Sequence, residues 1–161
     1  MIGLTLEIER RRLVAEEPDN QKRILELAAY FAECELQPAH SQLALRSAAN
    51  SFEKAGNTIQ AGYFAKKLLD LSPTAANVVA KAKSQVNGAD RNPRSNVQVD
   101  FDEKSSFRVC PASLTPIYQD QEAVEDTYTD AAYHARYSGS LCALTGINRV
   151  GAQCSGFRCF V

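Results

Sequence analysis

FRVCPASLTPIYQDQEAVEDTYTDAAYHARYSGSLC, residues 107–142, decides how the chain is read. Phe107 and Val109 alternate with polar neighbours, and Pro111, Pro116 and Gly139 punctuate the remainder of the stretch. That pattern suits short strands joined by tight turns and argues against helix. Cys110 and Cys142 bound the stretch like the ends of a small knuckle that lacks part of its ligand set. A closed structural zinc site takes four N, S or O donors in a tetrahedron, and two thiols supply half of them.

Upstream the period changes. From about Ile8 to Val86 the apolar spacing is helical, with Ile24, Leu27, Ala28 and Phe31 on one stripe and Ala61, Phe64, Ala65 and Leu68 on another. Breakers at Pro18, Pro38, Gly56–Asn57, Ser72–Pro73 and Asn87–Gly88 divide the region into four or five antiparallel helices. Asn57 with Gln60 has the form of a capping box, and Ser72–Pro73 that of an N-cap followed by proline at the first helical position. Leu45, Ala49, Phe52, Gly56, Ala61, Ala65, Leu68 and Pro73 fall near the key positions of a tetratricopeptide-type hairpin, although the usual tryptophan is absent. One such hairpin cannot bury its own faces and must stack on neighbours. A generic helical hairpin in a small bundle explains the same residues equally well.

Around Asn92–Pro93–Arg94 helix gives way to a period of two, with Val97, Val99 and Phe101 alternating against polar residues, and strands are expected from there on. The fold class is α+β. An antiparallel, tetratricopeptide- or solenoid-like helical half spans residues 1–91, and a small β-rich, hairpin-containing half with a degenerate knuckle-like segment spans residues 92–161. The glycines at 139, 146, 151 and 156 are turn positions, with no phosphate-cradling pattern among them.

Composition narrows the function classes. At 161 residues with a formal net charge of −1 and a pI near 6.1, the chain can bury a core and carries no positive field to collect nucleic acid or anionic lipid. Arg10, Arg11 and Arg12 follow Glu7 and Glu9 and are read as a solvated helix face. MIGLTLEIERRR is too short in its apolar run and too acidic for a signal peptide, and no later run is long enough to span a bilayer. A reducing, cytosolic setting is expected, with the five cysteines as free thiols and Cys34 packed inside a helix.

Read in order, QKRILELAAYF, LQPAH, AKKLLDLSP, NPRSNVQVDFD, FRVCPASLTPIY, YSGSLC and the terminal GFRCF resemble the C-terminal region of the coatomer alpha subunit of the COPI vesicle coat. The match runs over nearly the whole chain from about Gln21. It implies a helical half supporting a β-rich end, in a region that binds the epsilon subunit, a tetratricopeptide-type solenoid that wraps a projecting hairpin. It further implies association with the rest of the alpha chain and the coat. The protein would then be cytoplasmic, peripheral on Golgi and COPI vesicle membranes, and serve Golgi-to-ER retrograde and intra-Golgi transport.

In the family pattern the β-rich end carries four cysteines. The first and last match Cys110 and Cys142, while the second and third fall at about Asp126 and Ala132. His134 lies near the lost position, which leaves a mixed zinc set of Cys110, Asp126, His134 and Cys142 as one reading. The preferred reading has no cofactor, both cysteines packed as thiols and His134 at the surface. Cys154 and Cys159 form a CxxxxC pair without a second such pair.

Phe107, Tyr118, Tyr133 and Tyr137 are the candidate partner-binding anchors, because aromatic residues dominate such interfaces, although each suits a core equally. No catalytic residue is assigned. A thiol nucleophile needs a base, and the two histidines, His40 and His134, lie in different halves with no GxSxG, HExxH, Walker-type or dinucleotide-binding pattern. A free-standing helical-repeat adaptor is the alternative, and it leaves the β-rich end unaccounted for.

Overall fold

The computed structural model describes residues 2–152; Cys154, Gly156, Cys159 and the GFRCF phrase lie outside them. Five helices come first, α1 (Ile2–Glu16), α2 (Gln21–Glu33), α3 (Pro38–Lys54), α4 (Thr58–Asp70) and α5 (Ala76–Arg91). Two antiparallel hairpins follow, β1 (Phe107–Val109) with β2 (Pro116–Tyr118), and β3 (Ala123–Glu125) with β4 (Ala132–His134). The arrangement is α+β, and two compact units carry it, Gly3–Phe101 and the residues from Asp102 onward.

In the helical unit, α3 and α4 bury small residues beside one aromatic each, Ala44, Ala48, Ala49 and Phe52 against Ala61, Phe64 and Ala65. Small side chains let the axes approach, and the Phe52 and Phe64 rings stack at 5.5 Å. α5 comes still closer to α4. A Cβ added at Gly62 would lie 2.5 Å from Ala89 Cβ, so only glycine fits that crossing. On α1 the arginine triplet is consumed within its own helix, Arg10 and Arg11 on Glu7, and Arg12 on Glu9 and Glu16.

α2 departs from the expected single stripe. Leu25, Glu26, Ala29 and Tyr30 are buried along with Leu27 and Ala28, while Ile24 and Phe31 are only half-buried. The reason is the segment after α5. Residues 97–101 form no strand; helix-borne side chains hold their backbone, and the helical unit ends past residue 91, at Phe101. The alternation of Val97, Val99 and Phe101 is real, since these are half-buried between exposed neighbours, but helix side chains take the part of a partner strand. Asn57 donates Nδ2 to Val97 O at 2.7 Å and accepts Val97 N–H at Oδ1 at 2.8 Å. Glu26 accepts the Asp100 N–H at 3.0 Å, and Tyr30 donates to Asp100 O at 2.6 Å. Phe101 then stacks on Phe64 at 5.4 Å.

This use of Asn57 displaces the expected capping box. Asn57 stands at the N-cap of α4, but its side chain makes no cap hydrogen bond, and Gln60 does not reach back; its buried Oε1 has no partner among the described residues. Ser72 and Pro73 do not start α5 either. Ser72, at φ 50°, closes the end of α4 through its N–H to Leu69 O, and α5 begins at Ala76. Asn87–Gly88 is no boundary, for α5 runs on to Arg91 and Asn92 N–H closes its last turn on Gly88 O at 3.0 Å. Gly56 does turn the corner between α3 and α4, with φ 79° and Asn96 against the space a Cβ would need.

Replacing Asn57 by alanine strands both backbone groups of Val97. The expected result is a loss of about 1–3 kcal/mol in urea unfolding, with faster limited proteolysis within residues 92–101. An unchanged midpoint and cleavage rate would count against this side-chain capture.

Candidate functional site

The β-rich unit is built from strands of three residues each, too short to stand alone, so its turns carry the structure. Three turns share one design. Cys110, Asp126 and Cys142 head them, each sixteen residues from the next. In each the head carbonyl accepts the N–H four residues on, from Leu114, Asp130 and Gly146, at 2.8, 2.9 and 2.8 Å. Those fourth residues all take positive φ, 53°, 52° and 66°. Leu114 and Asp130 carry a side chain in the left-handed region, at a cost of roughly 1–2 kcal/mol each that the closed turn must offset.

The head N–H closes each turn from the other side. Cys110 and Asp126 donate to the carbonyl five residues on, Thr115 and Ala131, whereas Cys142 donates to Asn148, one residue further. The third loop is therefore one residue longer. Around it Leu141 bridges Arg149, and Gly139 and Val150 pair at 2.9 Å, making a third hairpin. Reading the sequence by motif misses this repetition. Its signal is the sixteen-residue interval, masked because the heads are two thiols and a carboxylate and the intervening residues share little.

The heads point inward. Cys110 and Cys142 lie in one buried cluster with Ile117, Ala132, Tyr133 and Val150, and Asp126 has no exposed surface. A buried carboxylate needs donors, and Asp126 is supplied from two turns. Thr129 donates to Oδ2 at 2.6 Å, Asn148 Nδ2 donates to Oδ1, and the Cys142 thiol lies 3.5 Å from Oδ2. Arg108 of β1 reaches across to Glu125 at 2.5 Å and to the Asp130 carbonyl, tying the first hairpin to the second turn.

Tyr133 and Cys142 form a polar pair within the cluster, hydroxyl to sulfur at 3.2 Å. Burial raises the Cys142 thiol, but hydrogen bonds from Thr145, Tyr133 and the Thr145 and Leu144 N–H groups outweigh it and leave the thiol below its ordinary 9.0. Burial and the neighbouring sulfur push the Tyr133 phenol up. Cys34, at the end of α2, is the opposite case. Its half-buried thiol donates to Tyr30 O at 3.3 Å, and burial pushes it up to about 11, an unreactive form.

The mixed zinc set does not assemble. Asp126 and Cys142 meet and Cys110 shares their core, but His134 turns its Nε2 to Thr115 Oγ1 at 2.9 Å. Half-buried, it is also less exposed than the preferred reading supposes. Among the described residues no three His, Cys, Asp or Glu side chains stand where they could hold a metal ion together. Ala132 is buried in the same cluster and contributes only a methyl group.

The aromatic anchors divide. Tyr133 is fully buried and is corrected from interface candidate to core. Tyr137 is half-buried against the cluster, with Arg136 5.0 Å over its ring. Phe107 and Tyr118 face each other across β1 and β2 as an edge-to-face pair at 5.7 Å, both partly exposed. They line a groove of about 270 Å³ with Arg108, Ile117, Gln119 and Ala123.

Comparison with known proteins supplies the context for this geometry. A family model described as the C-terminus of the coatomer (COPI) alpha subunit matches residues 1–161. The chain belongs to that family. It is 35% identical to coatomer subunit alpha-1 of Arabidopsis thaliana over 99% of its own length, and 34% identical to coatomer subunit alpha of Saccharomyces cerevisiae over 98%. In both cases it spans 13% of the relative. No helix among the described residues is long and apolar enough to cross a membrane. In this chain the turn between the Cys110 and Cys142 turns is headed by Asp126.

His134 offers a pH readout. Burial, then the charge of Arg136, holds its imidazole below the ordinary 6.5. The unfolded chain thus takes up the proton first, so the contribution is complete above the unfolded value and is lost as pH falls from about 6.5 toward the folded one. Urea midpoints measured between pH 7.5 and pH 5 should decline below about 6.5, and His134→Gln should flatten that decline. An identical slope in the variant would remove His134 from the account.

Proposed function

We propose that this chain acts as a structural part of the COPI coat, the C-terminal scaffold of a coatomer alpha subunit, and that its β-rich unit holds the epsilon subunit. The carrying observation is the family match along the whole chain, through both the helical and the β-rich unit. A free-standing helical adaptor would leave the second of these without a role. On this reading the protein works at the cytoplasmic face of Golgi membranes and COPI vesicles, in retrograde Golgi-to-ER and intra-Golgi transport. Its mechanism is binding energy and involves no bond making.

The half-exposed Phe107–Tyr118 pair is the anchor that best supports this reading, since aromatic side chains beside a groove give most per residue at interfaces. Tyr137 is a secondary candidate at the margin of the same unit's core.

Co-purification of the chain with its own epsilon subunit should give a one-to-one complex at micromolar concentration. Phe107→Ala with Tyr118→Ala should weaken it at least tenfold, the scale of about 1.4 kcal/mol, while leaving the helical unit's circular dichroism intact. Absence of a complex with the unmodified chain would sink the proposal. A complex indifferent to both substitutions would move the contact elsewhere.

A further inference from the structure

We propose that Asp126 and the groups it binds take the place a structural metal ion would hold among these turns, so that the β-rich unit folds and stays folded without metal.

A metal ion in a cysteine knuckle has one physical task, to bind turns that are too short to bury a sufficient core of their own. Here that task has another owner. Asp126 sits at the middle head position, and its oxygens already accept from Thr129 in its own turn and from Asn148 in the third turn, with the Cys142 thiol alongside. Its main chain closes the second turn at both ends, N–H to Ala131 O and carbonyl from Asp130 N–H, each at 2.9 Å. The first hairpin joins through Arg108, which grips Glu125 before the head and the Asp130 carbonyl after it. All three hairpins are thus cross-linked around one residue.

Of the remaining candidate ligands, Cys142 and His134 are engaged as well, and Cys110 is packed in the apolar cluster. Cys142 pairs with Tyr133 and with the N–H groups of its own turn, and His134 is held by Thr115, which Ser113 supports at 2.6 Å. For a cation to enter, Asp126 would have to release Asn148 and Thr129, and the second and third turns would lose the side-chain bond that connects them. A buried network in which every member is satisfied stands on its own, whereas removal of one member leaves the others unpaired in a low dielectric.

The test uses the whole chain, expressed in zinc-supplemented medium and purified without chelator. Elemental analysis should find zinc far below one equivalent, and the melting temperature should be the same with and without a strong zinc chelator. Asp126→Ala should lower the melting temperature by roughly 5–15 °C, with no recovery on adding zinc. Asn148→Ala should lower it by a smaller amount, and the double variant should fall little below Asp126→Ala, because the two residues act as one unit. Stoichiometric zinc in the unmodified chain, or a melting temperature that drops with chelator, would overturn the proposal. So would strictly additive losses at Asp126 and Asn148. If Asp126→Ala does not fold, the metal content and chelator response of the unmodified chain decide alone.

Discussion

A carboxylate with no exposed surface must be met by hydrogen-bond donors, and the β-rich unit is arranged around meeting that demand at Asp126. Three-residue strands give each hairpin only a few ladder bonds, and a two-stranded ribbon is marginal in water. The unit gains its order from turns that close the same way three times and from a central acceptor that draws donors from two of them. The apolar cluster of Cys110, Ile117, Ala132, Tyr133, Cys142 and Val150 is small, so such cross-links are what make one arrangement preferred over other pairings of the same short strands.

The helical unit solves a related problem by other means. Its last segment has no strand to pair with, so buried side chains serve its backbone: Asn57 takes both groups of Val97, and Glu26 with Tyr30 takes both groups of Asp100. Buried polar residues on helices are costly unless paired, and here the pairing fixes the path of the chain as it leaves the helices. The ring series Phe52, Phe64 and Phe101 completes the capture with apolar contact.

Much of this is legible in the sequence, and the exceptions share a cause. Helical periodicity locates the helices, and the shift to a period of two marks the change at Asn92–Pro93–Arg94, because those signals report burial. What burial patterns do not report is the partner. Val97, Val99 and Phe101 alternate as a strand would, but the face they cover is helical. Asn57 has the residue type of a cap, yet a long-range bond outcompetes the local one. Glu26 and Tyr30 fall outside the expected stripe because their partner lies some seventy residues away. In the candidate site, Cys110, Asp126 and Cys142 each stand out in the sequence, and their common setting as turn heads emerges only from backbone hydrogen bonds and positive φ angles. His134 attracts notice by its distance in sequence from a lost ligand, whereas along a strand such a distance also decides which face a side chain takes.

The polar residues of the β-rich unit are engaged with one another, and a partly exposed aromatic pair remains beside a groove on its first hairpin. The family match covers both units. Hydrogen exchange on the chain, alone and mixed with a coatomer epsilon subunit, tests the proposed contact most directly. Amides of residues 106–119 should gain protection on binding, while those of the Asp126 turn, already protected in the free chain, change little. New protection confined to the helical unit, with residues 106–119 unaltered, would contradict it.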